Sequence, residues 1–193
     1  MGVEDYLRHI ERSKASTSIP IIGSLNGSTL GGWTDFAKQI EQAGADALEL
    51  NLYNIPTDLT ESGAEIEKQY VDVLKAVKAT VTIPVAVKVS PFFTNFANIA
   101  KQFDDAGANG LVLFNRFYQP DIDLESLEVV PNVMYSTPMA MRLPMRWVAI
   151  LFERLGADLA ATSGIHRGTD AIKMIMAGAR MILRRELLLR SGH

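Results

Sequence analysis

The chain reads as an α/β protein built on parallel strands. Short apolar runs alternate with amphipathic helical stretches, four similar helix-to-strand junctions recur, and five of the strand-like runs close on a polar residue. The junctions are AGADALEL, AGANGLVLF, LGADLAAT and AGARMILR, around Gly44, Gly107, Gly156 and Gly178. Glycine is expected just past a helix because it enters the left-handed region without steric penalty. Strand, helix, strand in alternation implies right-handed crossovers, with helices covering the sheet.

Taken in order, a helical segment from Val3 to Ser13 comes first, and the run IPIIGSL follows as a strand entered at a proline, whose missing N–H breaks no ladder there. A helix containing Phe36, Ala37 and Ile40 is expected next, with Thr34 as its cap, and then the strand ALELNL. Ser62 and Glu65 form a capping box ahead of Ile66, Tyr70, Val73, Leu74 and Val77, which share one helical face. The strand VAVKVS is again entered at a proline. Thr94 is expected to cap a helix carrying Phe96, Ala97, Ile99, Ala100 and Phe103, which leads to the strand GLVLFN. Pro144 suits the first turn of a helix through Trp147, Ile150 and Leu151, and the strand DLAATSG, a helix near residues 169 to 177 and the strand MILRR complete the series.

A complete eight-stranded (β/α) barrel typically takes about 250 residues. With 193 residues and six strand candidates, the chain is expected to be a TIM-barrel type fold lacking part of its wall. No low-complexity linker divides it, so a single domain over 1–193 is expected: a helical segment at 1–15, then barrel elements at 16–190. A doubly wound open sheet is the structural alternative. No Gly-rich dinucleotide fingerprint follows any strand, and the lone pair Gly31–Gly32 is weak evidence for one.

Composition narrows the function classes. A net charge of −3 gives no general attraction to nucleic acid or acidic membranes. No apolar run approaches the roughly 20 residues that span a bilayer, and the start MGVEDYLRHIERS lacks the apolar centre of a secretory signal. A cytoplasmic protein without nucleic-acid or membrane partners is the expectation. The absence of cysteine excludes disulfides, thiolate metal sites and a cysteine nucleophile or base.

In parallel α/β folds the ligand sits at the carboxyl ends of the strands. The residues there are Asn26, Asn51, Lys88, Asn115 and the pair Ser163 and Gly164. Lys88 is the most informative, since a lysine inside the apolar run VAVKVS must find an anionic partner, lose its proton or reach the rim. Held at a strand end it can stabilise negative charge on a ligand; paired with a neighbouring carboxylate such as Glu49 it would be structural. Asn51 and Asn115 offer donors and acceptors suited to the edge of a heterocycle, or else bond their own turns.

The strings IPIIGSLNGST, AGADALELNLY, IPVAVKVSPFF, GANGLVLFNRFYQPDID, RLPMRWVAIL and LAATSGIHRGTDAIKMIMAGA carry a family resemblance. From about Ile19 to Leu189 the chain resembles the dihydroorotate dehydrogenase family of FMN-dependent (β/α) barrels. The resemblance implies an FMN-dependent oxidoreductase acting on a CH–CH bond of an orotate-like small molecule, in pyrimidine biosynthesis. It places Lys88 beside the flavin pyrimidine edge, Asn51 and Asn115 on the substrate, and Ser163 and Gly164 at the FMN phosphate.

Three departures accompany it. The family's general base falls near Tyr53 or Asn54, and an amide such as Asn54 accepts no proton at working pH. The last strand ends in Arg184 and Arg185 in place of small residues, so Arg184 would hold the phosphate by charge or block it. The strands that precede IPIIGSL in the family have no counterpart here. An opened barrel leaves unpaired edges, and an oligomer through the exposed edge, or a rearranged closure, is expected. A catalytically inactive shortened barrel serving as a structural or interaction module is the alternative reading. His166 reads as a surface or supporting residue, His9 and His193 lack a constellation, Asp121 and Asp123 read as turn caps, and Arg142, Arg146 and Arg154 read as a solvated face. No metal site is proposed.

Overall fold

A computed structural model describes residues 2–27, 29–116, 119–132 and 135–183. Six parallel strands form one curled sheet: β1 (Ile22–Leu25), β2 (Ala47–Asn51), β3 (Val85–Val89), β4 (Gly110–Leu113), β7 (Asp158–Thr162) and β8 (Met181–Leu183), in that spatial order. All six strand candidates are present. Between β4 and β7 the chain makes an antiparallel hairpin of β5 (Gln119–Ile122) and β6 (Val129–Asn132), which the sequence reading did not anticipate. Asp123 does cap its turn, accepting from the N–H groups of Glu125 and Ser126 at 3.0 and 2.7 Å.

The helices are α1 (Val3–Ser16), α2 (Leu30–Gln42), α3 (Gly63–Lys78), α4 (Phe96–Asp105), α5 (Arg142–Leu151) and α6 (Gly168–Met176), with a 3₁₀ turn at Pro138–Met141 leading into α5. The Ser62–Glu65 capping box forms as expected. Two expected caps move. α2 starts at Thr29, whose hydroxyl accepts from Gly32 N–H; Thr34 lies inside the helix and bonds back to Gly31 C=O. Gly31 and Gly32 are poor helix formers and hide that first turn from a sequence reading. α4 is capped by Asn95, one residue beyond Thr94. Gly44, Gly107 and Gly178 take positive φ, but Gly156 does not: α5 ends early, and Glu153 takes the left-handed turn (φ 60°) instead.

Strand alternation sorts the side chains. Leu48 and Leu50 of β2, Val85, Val87 and Val89 of β3, and Leu111 and Leu113 of β4 are buried in one core with Trp33, Ile40, Leu74, Val77, Ile99, Phe103, Val148 and Met174 of the helices. An edge-to-face cluster of Phe96 with Phe114 (4.9 Å) and Trp147 (5.0 Å) ties α4 to the end of β4 and to α5. Arg142, Arg146 and Arg154 are exposed, as expected of a solvated face.

At the amino ends of the strands, polar side chains at helix ends and on the helix-to-strand connections accept main-chain N–H groups of another unit. Asp46 takes Ile21 (2.6 Å), Glu41 takes Thr82 (2.7 Å), Asn109 takes Val85 (2.9 Å) and Asp104 takes Ala157 (2.8 Å). In barrels of this kind that end serves stability.

The sheet is not closed: among the described residues β1 pairs only with β2, and β8 only with β7. The β1 edge is covered rather than bare. α1 lays Tyr6 along it, and the phenol hydroxyl bonds both the N–H and the C=O of Ser24. Ile10 is buried beneath the helix, and Lys14 pairs with Asp46 at 2.7 Å. No helix among the described residues is long and apolar enough to cross a membrane.

Candidate functional site

Side chains that do not face the helical core line the inner face of the sheet. Register sets Ser24 opposite Glu49 and Asn51 opposite Lys88. Glu49 and Asn51 are two residues apart in β2 and so project to the same side. The structure therefore brings Asn51 and Lys88 together, with Glu49 and Ser24 beside them. Ser24 Oγ donates to Glu49 Oε1 at 2.9 Å, and Lys88 Nζ lies 3.7 Å from that same oxygen. Of the two expectations for Lys88, the Glu49 pairing is present, at a distance beyond a hydrogen bond.

Asn115 joins the group from the end of β4. Its main-chain N–H donates to Val89 C=O at 2.8 Å, and its amide nitrogen reaches Lys88 C=O at a long 3.5 Å. Asn51 is different: its Oδ1 is buried and has no hydrogen-bond partner. A buried, unpaired acceptor normally costs about 1–3 kcal/mol, and native proteins rarely leave one without a reason. At the amino ends of the strands the comparable acceptors have donors; this one, at the carboxyl end of β2, has none.

Asn26 follows β1 and is exposed. Asn54 is also exposed, and its amide bonds the hydroxyl of Tyr70, which burial raises above the ordinary tyrosine value despite that bond. Neither group is a ready proton acceptor at neutral pH.

Ser163 and Gly164 follow β7, two strands along from Lys88, and both are left-handed (φ 78° and 74°). The Gly164 N–H is already engaged by the buried Ser136 Oγ at 3.0 Å, and His166 Nε2 lies 3.3 Å from that hydroxyl. A Cβ at Gly164 would meet Met141 N at 2.4 Å, so the turn is pressed against the 3₁₀ segment. Sequence reasoning missed Ser136, since a lone serine in a loop carries no signal of this contact. Asp170 accepts from the N–H groups of Arg167 (2.9 Å) and His166 (3.1 Å), and the Arg167 N–H above all holds its carboxyl below the usual aspartate range. Arg184, Arg185 and His193 lie outside the described residues. A groove of about 550 Å³ along α1, lined among the described residues by Asp5, Arg8, Glu11 and Arg12, belongs to the helix surface and not to the strand ends.

Tested against a flavin, the residues divide. The buried Asn51 acceptor and the Lys88 ammonium fit the polar edge of an anionic heterocycle. A phosphate at Gly164 would have to replace the Ser136 hydroxyl.

Residues 1–184 match the family model described as dihydroorotate dehydrogenase. The chain is 32% identical over 190 residues to the catalytic subunit of dihydroorotate dehydrogenase B (NAD(+)) from Methanocaldococcus jannaschii, covering 94% of this chain and 61% of the relative. It is 31% identical over 186 residues to the corresponding subunit from Thermoplasma volcanium, covering 94% and 60%. Among solved structures, phosphonopyruvate hydrolase superposes with a TM-score of 0.70 at 13% identity, covering 99% of this chain and 62% of that one. Dihydroorotate dehydrogenase from Eimeria tenella in complex with ferulenol gives 0.65 at 18% identity, covering 98% and 58%. These two structural likenesses speak to the barrel fold alone. The chain thus spans less than two thirds of the length of these relatives.

Proposed function

The chain belongs to the dihydroorotate dehydrogenase family, and on that premise we propose that it contributes the flavin- and substrate-facing wall of an FMN-dependent oxidoreductase. The reaction is oxidation or reduction of a CH–CH bond in an orotate-like small molecule, within pyrimidine biosynthesis. One observation carries the reading: the unpaired, buried Oδ1 of Asn51 beside the Lys88 ammonium, at the end of the sheet where this fold binds ligands.

FMN, when bound, supplies the hydride acceptor. The chain's own residues do the rest. Lys88 holds negative charge at the pyrimidine edge from a fixed strand position, so no reorganisation is needed when that charge appears. Asn51 accepts a ring N–H, and Asn115 presents its amide from the neighbouring strand. Ser163, Gly164 and Arg184 are the phosphate-side residues, and Gly164 would exchange its Ser136 contact for a phosphate oxygen. The family base position falls near Tyr53 or Asn54, and the Asn54 amide cannot take a proton, so the family's usual proton removal is not expected there. We place the protein in the cytoplasm and expect it to associate through the β8 edge, since α1 already covers β1.

The test is a titration of the purified protein with FMN, followed by flavin fluorescence and the visible spectrum. Quenching and a shifted oxidised-flavin spectrum are expected. Unchanged fluorescence would overturn the flavin reading.

A further inference from the structure

Lys88 is one end of a chain of contacts that crosses three strands. Ser24 Oγ of β1 donates to Glu49 Oε1 of β2 at 2.9 Å, and that oxygen lies 3.7 Å from Lys88 Nζ of β3. The two separations are different in kind. The first is a formed hydrogen bond, and the second is an ion pair without one. The Ser24 hydroxyl thus holds the carboxylate towards β1, and Ser24 is itself pinned at both main-chain polar groups by Tyr6. The Glu49 side chain is 10% exposed and that of Lys88 is 24%, so the ammonium is the more outward partner, level in register with Asn51.

We propose that Glu49 and Ser24 are positioning residues for Lys88. Ser24 tethers the carboxylate, and the tethered carboxylate keeps the ammonium at the mouth of the sheet without capturing it. The cation therefore remains available to the anionic edge of a ligand. A carboxylate free to close on Lys88 would mask that charge; with no carboxylate the ammonium would lose its anchor. The value of this arrangement to function rests on the reading of Lys88 as the ligand-facing cation.

Acylation of Lys88 by a small amine-reactive ester, followed by peptide mass spectrometry on protein without added ligand, tests the arrangement. Glu49→Gln removes the pairing charge, and Lys88 is expected to label faster, on the order of threefold as suits a partly exposed pair. Ser24→Ala releases the carboxylate onto the ammonium, and Lys88 is expected to label more slowly. The double variant is expected to match Glu49→Gln, because Ser24 acts only through Glu49. Ser24→Thr, which keeps the hydroxyl, is expected to restore the unaltered rate. A merely structural role for Ser24 would not produce opposite signs in the two single variants.

Equal Lys88 labelling in the unaltered protein and Ser24→Ala would overturn the proposal, as would a double variant that labels like Ser24→Ala. Should Glu49→Gln fail to fold, the Ser24→Ala and Ser24→Thr pair decides alone. If the labelling order holds but FMN fluorescence is not quenched, the positioning stands and the flavin reading fails.

Discussion

The Tyr6 hydroxyl and the main chain of Ser24 form a closed pair at the rim of the open sheet: the hydroxyl accepts from Ser24 N–H at 2.7 Å and donates to Ser24 C=O at 3.0 Å. A side chain thereby does what a neighbouring strand would do for one residue of an edge. Tyr6→Phe keeps the ring packing and removes both bonds. It is expected to lower unfolding free energy by about 1 kcal/mol in urea, since the freed groups can still reach water, and to increase self-association seen by light scattering. An unchanged urea midpoint would mean that α1 does not guard the edge through this contact.

Asn51 should separate stability from function. Replacing it with leucine removes the unpaired buried Oδ1 while keeping the branch at Cγ. Thermal unfolding of Asn51→Leu is expected to rise, equivalent to about 1 kcal/mol, while FMN or orotate binding measured by fluorescence falls. A fall in melting temperature would show that the amide is structural.

Lys88→Ala tests the same face from the charge side. The pair with Glu49 is separated by 3.7 Å and Glu49 keeps its Ser24 bond, so the fold is expected to survive with a loss of no more than about 1–2 kcal/mol. Flavin binding is expected to weaken at least about tenfold, the effect of losing one charge-assisted contact. Global unfolding of this variant would make Lys88 a structural partner.

Gly164 is held by geometry. Its φ of 74° and the 2.4 Å approach of a Cβ to Met141 N leave no room for a side chain. Gly164→Ala is expected to destabilise by roughly 3 kcal/mol or more, read as a fall in thermal midpoint. A neutral result would show that the 3₁₀ turn can move away.

Glu41 gives the pH prediction. Its carboxylate accepts from Thr82 Oγ, Thr82 N–H and Ile83 N–H, and these bonds, the Thr82 hydroxyl foremost, hold it below the usual glutamate value of 4.5. A depressed folded-state value means that its stabilisation is complete above 4.5 and is lost as pH falls through the lowered value. Glu41→Gln can still accept those bonds but does not titrate. The melting temperature of this variant is expected to fall less steeply on acidification than that of the unaltered protein; parallel curves would refute the assignment.

All six strands were legible because each combines an apolar run with an entry proline or a preceding glycine, signals that act within a few residues. Positions of caps were less so: Thr29 was hidden by Gly31 and Gly32, and Glu153 took the turn expected of Gly156. The β5–β6 hairpin escaped notice because β5 is exposed along its length and carries no core-facing alternation. In the site, Asn51, Lys88 and Asn115 could be placed at strand ends from their position after apolar runs. The Ser136 contact to Gly164 could not, because it joins residues 28 apart through a loop.

The amino-acid order by itself determined the alternation of elements, the parallel sense of the sheet and which polar residues end its strands, since these follow from local periodicity and turn chemistry. Only tertiary structure decided that Ser24, Glu49 and Lys88 form one line of contacts, that Asn51 Oδ1 stays unpaired and that Tyr6 closes an open edge. Those outcomes depend on strand register and on α1 docking, which are settled by burial across the whole sheet and leave no trace in any short stretch of sequence.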